Sequence, residues 1–115
     1  MERTTERFTC ENPGLTFIEL WLEPSGMCFS IPPSERLEVI CEGPQGGQLE
    51  IERHPEGHIT VFSWSSAEFT VFKSGVEIYN ERGIGAFPCP PQATLRQLIE
   101  ALFGDFETRR RMRSS

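Results

Sequence analysis

The rhythm of apolar residues changes once along the chain. Up to about residue 86, short apolar runs repeat every second residue between turn-forming clusters. Leu15 to Leu22 is the longest run. Leu15, Phe17 and Trp21 fall on one face and Ile18, Leu20 and Leu22 on the other, which predicts a strand covered on both sides. Met27, Phe29 and Ile31 alternate with Cys28 and Ser30, and Leu37, Val39 and Cys41 with Arg36, Glu38 and Ile40, as in half-buried strands. Leu49 with Ile51, Ile59 with Val61, Phe69 with Val71 and Phe72, and Val76 with Ile78 and Tyr79 continue the series. Between the runs lie turn-forming stretches: Glu23-Pro24-Ser25-Gly26, Pro32-Pro33, Gly43-Pro44-Gln45-Gly46-Gly47, His54-Pro55-Glu56-Gly57-His58 and Ser74-Gly75. With a weaker strand near Arg7–Glu11, the pattern gives about eight short strands.

From Thr94 the period lengthens. Leu95, Leu98, Ile99, Leu102, Phe103 and Phe106 recur as on the apolar face of an amphipathic helix. Thr94 and Gln97 have the spacing of a capping box. Gly104 either ends this helix, leaving Asp105 to open a second turn, or sits inside one helix running to Arg111. The predicted architecture is one domain, residues 1–115. It has a β body at 7–86, a Pro-rich connector at 87–93, and a helix with a basic tail at 94–111. The fold class is all-β and mainly antiparallel, a small β-sandwich or barrel with one C-terminal amphipathic helix. The predicted core is Phe17, Leu20, Leu22, Phe29, Ile31, Leu37, Val39, Leu49, Ile51, Ile59, Val61, Val71, Ile78, Leu98, Leu102 and Phe103.

Composition supports a folded domain: 37% of the 115 residues are apolar, with nine Phe and two Trp. The net charge of -6 argues against nucleic-acid binding by the body, which needs a broad basic footprint. That charge is unevenly placed. Residues 1–106 carry 7 basic and 16 acidic side chains, net -9, whereas residues 107–115 carry four Arg and one Glu, net +3. No apolar run approaches a membrane span, so no membrane partner is expected. Met1 to Arg7 lacks the apolar stretch of a secretory signal, which predicts a cytoplasmic location. Cys10, Cys28, Cys41 and Cys89 show no C-x-x-C spacing and read as free thiols, Cys89 the most exposed.

The turn and core residues resemble a loose family of short bacterial all-β proteins that end in a helix. The resemblance rests on Asn12-Pro13, Leu15-x-Phe17-x-x-x-Trp21-Leu22-Glu23-Pro24, Ile31-Pro32-Pro33, Leu37-x-Val39 and Glu42-Gly43-Pro44. It continues through Leu49-x-Ile51, Ile59-x-Val61, Val71-Phe72-x-x-Gly75 and Pro90-Pro91-x-x-Thr94-Leu95-Arg96-x-Leu98-Ile99-x-x-Leu102-Phe103-Gly104. It spans residues 12 to 104 and implies a fold. It brings no activity and no site residues with it.

Candidate chemistry is sparse. His54 and His58 flank a Pro-Glu-Gly turn with Glu52 and Glu56 nearby, a two-His, one-carboxylate set that zinc or iron accepts. An exposed hairpin with polar flanks accounts for the same residues. Glu50 and Glu52 share a strand face, as an acid–base pair or as solvated carboxylates that discourage edge pairing. No G-x-S-x-G elbow or phosphate loop is present, and no catalytic residue is assigned. Phe62, Trp64, Phe72 and Tyr79 fall on positions alternate to Val61, Val71 and Ile78. They read as a recognition face, a pocket lining, or a surface covered by Leu95, Leu98 and Leu102 of the helix. Arg109, Arg110 and Arg111 form the one basic cluster. They suit a nucleic-acid or acidic-partner contact, a solvated helix end, or a contact with the acidic body.

The expected function is a non-enzymatic protein-interaction module with a protein partner or self-association and no cofactor. Nucleic acid enters only through the Arg tail. The alternative is a cupin-like barrel holding a small molecule or a metal.

Overall fold

The computed structural model describes residues 2–82 and 93–114. Among the described residues, eight strands form two four-stranded sheets. In chain order they are β1 (Arg3–Glu11), β2 (Ile18–Glu23), β3 (Met27–Ile31), β4 (Arg36–Pro44), β5 (Glu50–Arg53), β6 (Ile59–Phe62), β7 (Glu68–Lys73) and β8 (Val76–Asn80). Sheet I has the order β1-β4-β7-β8 and is antiparallel throughout. Sheet II has the order β3-β2-β6-β5, in which β2 and β6 run parallel. The two sheets stay separate and do not close, so the architecture is a sandwich rather than a barrel.

The interior follows from period-two alternation. Leu37, Val39 and Cys41 of β4 face Cys10, Phe69 and Val71 of their neighbours, and all are buried. From sheet II, Leu20, Leu22, Ile31, Ile59 and Val61 oppose them. Phe29 and Tyr79 close one side with an edge-on ring contact at 5.6 Å. Ser74 and Gly75 have φ of 51° and 79°, the left-handed pair a two-residue hairpin turn requires.

Two stretches depart from the sequence pattern. Leu15 and Phe17 lie outside β2 and are 95% and 60% exposed. The Asn12 side chain is the cause: its amide donates to the carbonyls of Thr16 and Ile31, and its oxygen accepts from Gly14 N–H. That network folds residues 12–16 into a turn and delays the strand to Ile18. The second departure is a bulge between Val71 and Phe72, which shifts the register of β8. Tyr79 therefore pairs with Val71 and faces inward, while Ile78 turns out and is 45% exposed.

The C-terminal segment forms two helices instead of one. Helix α1 spans Leu95–Phe103 and α2 spans Phe106–Ser114. The Thr94–Gln97 capping box opens α1, both of its hydrogen bonds being present. Gly104, with φ of 87°, breaks the path, and Asp105 caps α2 by accepting from Thr108 N–H at 2.9 Å. Leu95 and Ile99 are buried, whereas Leu102 and Phe103, expected in the core, are exposed at the end of α1. The connector at 87–92 and Cys89 lie outside the described residues. Among the described residues, no helix is long and apolar enough to cross a membrane.

Candidate functional site

The outer face of sheet II is the chemically distinctive surface. Strand β2 places Glu19, Trp21 and Glu23 on it, while Leu20 and Leu22 point into the sandwich. Strand β6 adds Thr60 and Phe62, and β5 adds Glu50 and Glu52. The parallel pairing sets Thr60 beside Trp21 and Phe62 beside Glu23; the antiparallel pairing sets Glu52 beside Thr60 and Glu50 beside Phe62. The result is an aromatic floor flanked by carboxylates on both sides.

The arm formed by α1 and α2 lies on this face. Phe106, Arg109, Arg110 and Arg113 share one side of α2 by their helical spacing. Phe106 stacks on His54 with ring centres 3.6 Å apart and an 8° tilt, and meets Trp21 edge-on at 6.4 Å. Arg110 grips Glu19 with two hydrogen bonds of 2.8 Å. Arg113 reaches Glu23 at 2.6 Å and stands over the Trp21 ring. It also crosses Gly26, where a Cβ would come within 3.1 Å of its guanidinium, a tight but yielding contact; the φ of 79° is what favours glycine there. From α1, Arg96 donates to Glu52 at 2.7 Å.

Arg109 is the central contact. It is 2% exposed, lies over Phe62, and comes within 3.4 Å of both Glu23 and Glu52. It also donates to the Gly104 carbonyl at 2.7 Å, which ties the two helices together. The pairing is imperfect. Glu23 is 1% exposed, and its Oε1 has no hydrogen-bond partner among the described residues; nor does Arg109 Nε. Each such buried polar atom costs about 1–3 kcal/mol. Burial of both charges removes much of what their attraction returns.

The histidines serve the same surface. His54 Nε2 lies 2.8 Å from the Thr60 hydroxyl and 3.5 Å from Glu52. Burial lowers the His54 pKa from its usual 6.5, and Arg109 lowers it further, against an opposing pull from Glu52. His58 Nδ1 accepts from Glu19 N–H at 2.9 Å. Both rings flank Phe106. Among the described residues, no group of three or more His, Cys, Asp or Glu side chains is placed to hold a metal. The Glu19 carboxyl is held below its ordinary value, chiefly by the Arg110 hydrogen bonds. For Glu52, burial works against ionisation, but Arg96 and His54 outweigh it, and its value is also lowered.

The structure distributes the four sequence-selected aromatics over different environments. Phe62 lies under the arm. Trp64 turns into the interior, where its indole donates to the Pro44 carbonyl at 2.9 Å. Gly47 rests on that ring so closely that a Cβ would overlap it at 1.9 Å. Phe72 is half-buried on the outer side of sheet I, and Tyr79 faces inward with its hydroxyl donating to Glu81 at 2.8 Å. Of the basic cluster, Arg109 and Arg110 are paired with carboxylates, and Arg111 is exposed. Sequence reasoning missed Glu19, Glu23, Trp21 and Phe106. The available signal was Glu19-x-Trp21-x-Glu23 on a strand with apolar residues on both faces, since covered carboxylates need counter-charges.

No family model, curated protein or solved structure gives a match to this chain.

Proposed function

We propose that this chain is a non-enzymatic protein-interaction module. Its working surface is the outer face of sheet II, and the C-terminal arm is the occupant of that surface in the free protein. One observation carries the reading: among the described residues, the interior apolar cluster draws only on the β body and takes no residue from the arm. The arm's own buried apolar residues, Leu95, Ile99 and Phe106, stand outside that cluster. The arm is held by the buried Leu95 and Ile99 of α1, by one stacked ring of α2 and by a set of arginine–carboxylate pairs, the mix of apolar anchors and charged pairs found in a recognition interface. Cys10, Cys28 and Cys41 are free thiols, which fits a reducing compartment such as the cytoplasm.

Amide hydrogen exchange on the full chain tests this. The amides of α1 and α2 are expected to exchange well before those of β4 and β7, and faster still as salt is added. Equal protection of arm and strands at low and high salt would make the arm a fixed part of the domain and remove the reading.

A further inference from the structure

We propose that the outer face of sheet II is a receptor for a basic helix of another protein, and that α2 is a displaceable copy of that ligand. The ligand carries an aromatic residue followed by arginines three, four and seven positions later. This inference rests on the module reading above and names its partner.

The signature is read from the seated helix. Phe106, Arg109, Arg110 and Arg113 occupy i, i+3, i+4 and i+7, the spacing by which helices anchor in grooves. Each has a complementary place on the sheet. The aromatic ring enters between His54 and Trp21. The first arginine lies over Phe62 between Glu23 and Glu52, the second forks onto Glu19, and the third crosses Trp21 to Glu23. Positions 107, 111 and 112 are exposed, while Arg113, itself partly exposed, makes its contact at the rim; recognition centres on Phe106, Arg109 and Arg110.

Charge commits the surface to a cationic occupant. With the arm lifted, Glu19, Glu23, Glu50 and Glu52 face outward around Trp21 and Phe62, a surface that repels nucleic acid and attracts arginine. The resident helix leaves one acceptor open, because Glu23 Oε1 is buried without a hydrogen bond. A partner helix supplying one more donor there binds better than the arm does. The arm competes at the high effective concentration of a tethered segment, so the full chain shows the receptor only to ligands that beat it.

The probe is a helical Ala/Gln host peptide carrying only Phe and three Arg at these spacings, with a fluorescent label. A control peptide of the same composition has the Arg spacing shifted by two. Binding to the full chain is followed by fluorescence anisotropy, with hydrogen exchange on the same samples. Phe106→Ala, which loosens the arm, is expected to tighten probe binding by about tenfold. Adding Glu23→Gln to that background is expected to reverse the gain. The control peptide should bind about tenfold more weakly than the probe. Arg110→Ala is a second way to loosen the arm should Phe106→Ala impair folding. Equal binding of probe and control would reduce the effect to bulk charge and overturn the proposal. So would light scattering that finds a dimer with the arms exchanged, which makes a second copy the occupant. If α2 exchanges freely yet the probe fails to bind, the partner is wrong while the module reading stands. If α2 stays as protected as β4 in both loosened variants, both readings fall.

Discussion

The two faces of sheet II are built on opposite principles. The inner face meets sheet I through Leu20, Leu22, Ile59 and Val61, all nearly or fully buried and without a polar atom in their side chains. The outer face meets the arm through Glu19, Glu23, Glu52, Arg109, Arg110 and Arg113 around Trp21, Phe62 and Phe106. The first surface gains free energy from every ångström removed from water. The second adds the apolar burial of Phe62, Leu95 and Ile99 to charges that must recover their desolvation cost from their partners, so it returns less for the area it covers. One strand, β2, therefore carries a permanent contact on one side and a conditional one on the other.

The largest test of that contrast is truncation of the interior. Phe69→Ala should cost about 3–5 kcal/mol of global stability, because the ring is fully buried in the interior cluster, opposite Cys41 of β4. Urea denaturation with a probe of the whole fold measures it. Phe106→Ala removes the same ring from the outer face and should move the global midpoint far less, with the loss confined to arm amides. Equal global losses would erase the distinction between the faces.

The buried pair gives the next effect. Glu23→Gln leaves Arg109 with less compensation, and breaking such a pair costs about 3–5 kcal/mol where the charge cannot escape. Here it can escape by lifting the arm, so the penalty should appear as exchange of α2 while strand protection stays close to wild type. Replacing both partners, Glu23→Leu with Arg109→Met, should restore arm protection or exceed it. A double variant as loose as the single one would place the holding contact elsewhere, in the Arg113–Glu23 pair or the Arg109–Gly104 bond that the same substitutions remove.

Most of the sandwich was legible in the sequence, because period-two alternation and turn residues are local signals. The strands around Phe29, Val39, Val61 and Val71 and the Thr94 cap follow from them. Leu15, Phe17 and Ile78 escaped because one side-chain network at Asn12 and one bulge after Val71 change strand phase, and neither alters the local hydrophobic pattern. The site was half legible. An acidic body at -9 and a tail at +3 could be counted directly. Which carboxylate meets which arginine depends on the parallel β2–β6 pair, a contact between residues about 39 apart that no local pattern encodes.

Acid should separate the two faces with a smaller effect. Burial, to which the stacked Phe106 ring adds, and then Arg109 lower the His54 pKa below 6.5 against the pull of Glu52, so the docked state favours the neutral ring. That contribution is present above pH 6.5 and is lost as pH falls below it. Glu19 and Glu52 are also lowered, so their contribution is present above pH 4.5 and is lost as pH falls further. Both act in the same direction. In a Trp64→Phe protein, Trp21 is the remaining indole, and it touches Phe106 and Arg113. Its emission should change in two steps on acidification, the first removed by His54→Gln. Emission from Trp64 in a Trp21→Phe protein should change less through the first step, because that ring belongs to the interior cluster and borders the start of α1, away from His54 and Phe106.

Thiol chemistry gives the smallest and most local reading. Cys28 lies beside Trp21 on the outer face, while Cys10 and Cys41 are fully buried in the interior. Burial first, and then the Glu19 charge, push the Cys28 thiol up to about 11, with Arg110 pulling the other way. Cys28 is exposed even with the arm seated, so lifting the arm changes its surroundings chiefly by removing Arg110 and widening reagent access across the outer face. In a Cys89→Ser background at pH 8, salt should speed labelling of Cys28 by about two- to threefold. Cys10 and Cys41 should label only at the rate of global unfolding and show no such acceleration, since burial pushes Cys10 to about 11 against the pull of Arg53, and burial with the charges of Glu81, Glu6 and Glu68 pushes Cys41 higher still. A salt effect of equal size on all three would mean that the β body and the arm open together, as one unit.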